Sequence, residues 1–159
     1  MVVPRDQLDQ FVADRAGAGT WAWESQRIAA GVPRIGFETD HRTIAHEVGW
    51  VTSAVHLNKG CYRGQETVAR VHNLGRPPRR LVLLHLDGSA DRLPVVGESV
   101  TLNDREVGRL TSVAQHHELG PVGLAVVKRA LDPEQTLLVG STELGFVSAT
   151  QDVIVTPGD

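Results

Sequence analysis

Cysteine is nearly absent from this chain: Cys61 is the only one in 159 residues. A single thiol excludes a framework of internal disulfides and suits a reducing compartment, so a cytoplasmic location is expected. Long apolar runs are also missing. None approaches the roughly 20 residues that a membrane-spanning helix needs, so no membrane partner is expected. Met1-Val2-Val3-Pro4 passes directly into charged residues, which does not read as a signal peptide. No CxxC pair, HExxH helix, GxGxxG turn, Walker A loop or nucleophile elbow occurs, and each absence removes the chemistry that depends on it. Adjacent His116-His117-Glu118 would project to opposite faces of a strand, so no metal site is expected there. Aromatic residues make up only 4%, but 41% hydrophobic and 22% charged residues describe a globular chain with a core. Net charge is -3, too acidic for nucleic-acid binding by bulk charge alone.

The charge is unevenly spread. Between residues 59 and 80 stand six bases, Lys59, Arg63, Arg70, Arg76, Arg79 and Arg80, against the single acid Glu66. That stretch carries +5 and the remainder -8, which points to an anionic ligand or partner at one place. The lone cysteine lies inside it, in Lys59-Gly60-Cys61-Tyr62-Arg63-Gly64-Gln65-Glu66. Cations and a helix N-terminus both stabilise a thiolate, and Gly64 is a plausible entry to a helix over Gln65 to His72. Cys61 is therefore a candidate functional thiol, although a lone cysteine is more often a small buried hydrophobe.

Ahead of this loop the patterning is helical. Leu8, Phe11, Val12 and Arg15 share the i, i+3, i+4, i+7 spacing of one helix face over Pro4 to Arg15. Thr20 reads as the N-cap of a helix over Trp21 to Ala30, with Gly31 as its stop; Trp21 and Trp23 are expected to pack. Thr43 to Glu47 suits a single helical turn, and Thr52 to Leu57 a short strand. Arg76-Pro77-Pro78 is a stiff extended joint and marks the division between residues 1–77 and 78–159. Beyond it strands dominate: Arg80 to Leu86, Ser99 to Leu102, Arg105 to Val113, Val122 to Lys128, Thr136 to Val139, Leu144 to Ala149 and Val153 to Val155. Asn103-Asp104 is a hairpin signal between two of them. The expected class is α+β: a helical and irregular N-terminal segment followed by a C-terminal antiparallel β-barrel.

The Lys59–Glu66 stretch, continued by Thr67-Val68-Ala69-Arg70, resembles the signature of YgfZ-type folate-binding proteins, in the superfamily of the glycine cleavage T protein, an aminomethyltransferase. Arg27-Ile28-Ala29-Ala30-Gly31-Val32-Pro33-Arg34-Ile35-Gly36 is similar to that family's R-I-E-A-G-x-P-x-x-G segment, with Ala29 where many members carry Glu. The tract from Arg79 through Val155, including Val107-Gly108-Arg109-Leu110-Thr111-Ser112, looks like its C-terminal barrel. The resemblance covers the C-terminal part of the family. It implies tetrahydrofolate as ligand, iron–sulfur proteins as clients and a link to tRNA modification. It also implies Cys61 as the chemical group, with Lys59, Tyr62, Arg63, Gln65, Glu66, Arg79 and Arg80 around the ligand; the two last would pair with folate carboxylates. Two other readings stand beside it: a tetrahydrofolate-dependent aminomethyltransferase, and an RNA-binding module built on the basic strip. A missing N-terminal part, a partner chain or self-association is expected to cover the Trp21 to Ala30 helix.

Overall fold

The computed structural model describes residues 2–155. Six antiparallel strands close into a barrel: β1 Arg79–Leu86, β2 Ser99–Leu102, β3 Arg105–His116, β4 Gly120–Lys128, β5 Leu137–Ser141 and β6 Gly145–Val153, in the spatial order β1-β4-β3-β2-β5-β6. Closure leaves no unpaired sheet edge, because β6 returns to β1. Asn103 and Asp104 both adopt positive φ, as the tight β2–β3 turn requires, and short polar side chains tolerate that conformation.

Why β1 and β4 read as continuous apolar runs is clear from their two faces. Val82, Leu84 and Leu86 point into the barrel with Ala125, Val127, Val139 and Val147. Leu81, Leu83, Val122, Leu124 and Val126 point outward and are covered by Ile28 and Val155. A strand buried on both sides loses the alternation of a half-exposed one. Ile28 comes from α2, Thr20–Ala29, which packs on the outside of β3 and β4. Burying such a side chain contributes about 1.5–3 kcal/mol. The segment before the barrel thus shares a packed cluster with it.

Helix α2 ends as the glycine signal indicates: Gly31 takes a left-handed φ of 66°, its N–H donates to the Ile28 carbonyl, and Val32 N–H donates to Arg27. Its N-cap is Gly19, so Thr20 is the first helical residue, contrary to expectation. The other elements are short. A 3-10 turn over Arg5–Gln7 leads into α1, Leu8–Val12, and Leu8 and Val12 stay about half exposed, so the expected apolar stripe buries nothing. Another 3-10 turn spans Ala45–Glu47, and α3 spans Val51–Ala54. The strand expected over Thr52 to Leu57 is absent: Val51 is buried at the start of a helical turn, and tertiary contact outweighs local β preference. Helix α4, Gln65–Leu74, starts from a left-handed Gly64. The two last expected strands are one, β6, because its bonds to β5 and β1 run without a break between them.

Candidate functional site

Two hollows stand out among the described residues, and the first lines up with the thiol loop that the sequence singles out. The first surrounds the thiol. Cys61 is free and exposed, and it borders a hollow of about 470 Å³ with Tyr62, Gly64, Gln65, Glu66 and Thr67. The loop is held by a reciprocal pair: Tyr62 N–H donates to the Gln65 side chain (3.2 Å) and Gln65 N–H to the Tyr62 carbonyl (3.2 Å). The Lys59 ammonium lies 5.0 Å from the centre of the Tyr62 ring, within reach of a cation–π attraction. Arg63 and Glu66 are exposed, and neither forms an ion pair among the described residues. The first turn of α4 opens beside Cys61.

Arg79 and Arg80 do not join this loop. Arg79 grips Glu47 with two hydrogen bonds (3.0 and 2.8 Å) and also reaches Asp40. Glu47 raises its pKa above the ordinary arginine value, outweighing burial. For Asp40, burial opposes the charge; the Arg42 amide, Arg79 and Thr43 overcome it and hold the carboxyl well below its usual range. Arg80 is buried and donates to the Leu131 carbonyl (2.7 Å). The expected ligand carboxylates for these two arginines are replaced by oxygens of the chain itself.

The second hollow was not visible in the sequence. A cleft of about 730 Å³ runs between α2 and β3, walled by Trp21, Phe37, Leu93 and Val96, with Glu24 and Arg34 at its polar side. Trp21 is 90% exposed and Trp23 58%, so the expected packing of these rings within the chain does not occur. The Arg34 guanidinium stacks 3.5 Å over the Phe37 ring and pairs with Glu24, while its Nε is buried without a partner. Beneath the cleft lies a buried polar network. Glu38, fully buried, accepts from Thr111 and Ser112 hydroxyls, the Arg34 amide (2.7 Å) and Arg27 (3.4 Å). Arg27 also donates to Ser112 (2.8 Å), to Glu24 and to the Val32 carbonyl.

A bulge creates this network. The β3–β4 register slips between Leu110 and Ser112, so the consecutive Thr111 and Ser112 both reach Glu38 instead of alternating across the strand. At the cleft rim His116 and His117 also sit on one side, ring centres 4.5 Å apart, because β3 ends there and the chain turns. That corrects the expectation of opposite faces. His116 Nδ1 accepts from the amides of Glu118 and Leu119, and its Nε2 stands 3.1 Å from the Gln26 side-chain amide nitrogen. Among the described residues no cluster of three or more potential metal ligands forms.

A closed six-stranded antiparallel barrel with a helix on its outer wall and this polar underlay defines a class: the T-protein-like C-terminal barrel and its preceding segment. Residues 79–150 match the family model of the glycine cleavage T-protein C-terminal barrel domain. The fold is that of the glycine cleavage system aminomethyltransferase T from Bartonella henselae, with a TM-score of 0.74 at 19% identity, over 96% of this chain and 43% of that one. In sequence the chain is 34% identical over 132 residues to the putative transferase At1g60990, chloroplastic, of Arabidopsis thaliana, covering 82% of this chain and 29% of the relative. It is 30% identical over 158 residues to the tRNA-modifying protein YgfZ of Yersinia pestis (strain Pestoides F), covering 93% and 47%. Residues 79–150 are thus a barrel of the glycine cleavage T-protein C-terminal type, the chain as a whole is similar to part of YgfZ and T-protein relatives, and it spans less than half the length of these relatives.

Proposed function

We propose that this chain is the C-terminal, folate-binding portion of a YgfZ-type accessory protein that supports iron–sulfur enzymes in the cytoplasm, with Cys61 as its chemical group. The observation that carries the proposal is the exposed thiol at the N-terminus of α4, in the Lys59–Glu66 signature, on a T-protein-like fold. The cleft fits the ligand. Its volume of about 730 Å³ is within the range of small-molecule sites, and its walls offer the flat rings of Trp21 and Phe37 to a pterin. Glu24 supplies an acceptor for ring N–H groups. Tetrahydrofolate, when bound, supplies a carrier for one-carbon groups. The chain's own part is to orient it: Arg27 and Glu38 lock α2 to β3, so the cleft walls keep their spacing. The large exposure of Trp21 and Trp23 supports a covering polypeptide on α2, whether the family's N-terminal portion, a partner or a second copy.

The test is a calorimetric titration of tetrahydrofolate into this chain and into one extended by a YgfZ N-terminal portion. Trp21→Ala and Glu24→Gln should each weaken binding by about 10- to 100-fold, the worth of one good contact. In the full-length protein Cys61→Ser should abolish rescue of iron–sulfur enzyme activity while leaving the melting temperature nearly unchanged. Unaltered affinity in both cleft variants, or full rescue by the serine variant, refutes the respective half of the proposal.

A second reading, RNA or tRNA binding, draws on a specific feature. Lys59, Arg63, Arg70 and Arg76 are exposed, and none forms an ion pair among the described residues. Four phosphate contacts would give a log–log salt slope of about -3. The aminomethyltransferase reading needs an aspartate at the one-carbon centre, and no aspartate in the chain is assigned to that place.

A further inference from the structure

Helix α4 carries the Cys61 loop at its start, yet its main packing is not on the barrel wall but on the 3-10 turn Ala45–Glu47. That turn is fastened to the barrel by the Glu47–Arg79 pair, since Arg79 begins β1. Between turn and helix lies His46. It is 4% exposed, and neither ring nitrogen has a hydrogen-bond partner. Its ring centre is 6.2 Å from that of His72, on the last turns of α4.

We propose that His46 is a proton-sensitive latch: neutral, it seats α4, and with it the Cys61 loop, on the Ala45–Glu47 turn, and protonated, it releases them. A buried imidazolium needs hydrogen-bond acceptors or an opposite charge, and this position offers neither. The surrounding groups are of the wrong sign or already engaged. From α4 comes His72, while Glu66 and Arg70 of that helix are exposed. From β1 come Arg79, held by Glu47 and Asp40, and Arg80, held by the Leu131 carbonyl. The turn after β4 brings Arg129, and α3 carries no ionisable residue. On the turn itself, Glu47 is taken by Arg79.

Burial first, then the positive potential of His72 and Arg129, lower the His46 pKa from its ordinary 6.5. The released state consequently takes up the proton before the seated one does. Seating is fully favoured above about pH 6.5 and weakens as pH falls below it, by up to about tenfold in the equilibrium for each pH unit until the seated form also protonates. The device acts on the position of the thiol loop and does not rest on the folate reading.

The experiment is amide hydrogen exchange of residues 65–74, corrected for intrinsic rates, at about pH 7.5 and about pH 5. The expected result is a loss of α4 protection on acidification of roughly tenfold or more, with β1 and β4 unchanged. His46→Phe should abolish that loss. Equal protection at both pH values in the parent, or the same loss in His46→Phe, overturns the proposal. Should His46→Phe not fold, the His46 ring resonances of the parent decide: a titration midpoint below 6.5 supports the latch, and one at or above 6.5 overturns it.

Discussion

Replacing Glu38 by alanine isolates the network that ties α2 and the Gly31–Gly36 connection to the barrel. Glu38 has four donors, and the substitution affects them unequally. Thr111 keeps its bond to the Leu124 carbonyl (2.9 Å), and Arg27 keeps Glu24 and the Val32 carbonyl. The Arg34 amide and the Ser112 hydroxyl proton are stranded. Each buried unpaired group costs about 1–3 kcal/mol, and Arg27 loses one of its two carboxylates in a site shut off from water. The expected loss is about 3–5 kcal/mol, which for a chain of this size lowers Tm by about 10–15 °C. Urea unfolding followed by circular dichroism would measure it. Glu38→Gln keeps the shape and removes the charge, so it should lose about half as much. Glu24→Gln, at a partly exposed position, should lose about 1 kcal/mol. Since Ser112 and Arg34 line the cleft, ligand affinity should fall in Glu38→Ala even below its melting range. A change of less than about 1 kcal/mol in Glu38→Ala would refute the view that this network holds the helix in place.

Two more predictions concern the barrel and its entry. A Cβ at Gly108 would stand 2.4 Å from the Val126 carbonyl oxygen and 2.8 Å from Val127 Cα, so Gly108→Ala should cost about 2 kcal/mol or more in urea unfolding. Gly17→Ala, with nothing within 4 Å, should cost nothing measurable. Arg79→Met leaves Glu47, 1% exposed, as a buried carboxylate without its cation, and should lose about 3 kcal/mol by the same measurement. It should also flatten the acid limb of the stability curve. The folded Asp40 carboxyl titrates below its unfolded value of 3.8, so its contribution is whole above that pH and drains as pH falls beneath it. An unchanged acid limb in Arg79→Met would remove Arg79 as a cause.

Much of the barrel was legible because its signals are local. Continuous apolar runs at Leu81–Leu84 and Val122–Val127, and the Asn103-Asp104 turn, each depend on neighbouring residues alone. The same holds for the stop of α2 at Gly31 and for the entry of α4 at Gly64, where backbone conformation favours glycine. The exposed Cys61 loop was likewise marked by its own bases and glycines. What failed depended on distance in sequence. Whether Arg79 is a ligand arginine or an internal one turns on Glu47, 32 residues away, and Arg80 turns on a carbonyl 51 residues away. The cleft was invisible because its walls come from α2, from Phe37, from Leu93 and Val96, and from the end of β3.

Composition and spacing by themselves therefore determined the kind of protein: a barrel preceded by helices, with one marked thiol loop. Local backbone preference and side-chain period are enough for that, since each element is read from its immediate neighbours. Only the tertiary structure decided which charges are spent inside. A charge is committed by the partner that the fold brings within 3 Å, and the bulge at Thr111 that turns two hydroxyls onto Glu38 exists only where β3 meets β4. It also decided that His46 is sealed without an acceptor beside His72, because burial and like charge arise when the turn and α4 close on each other.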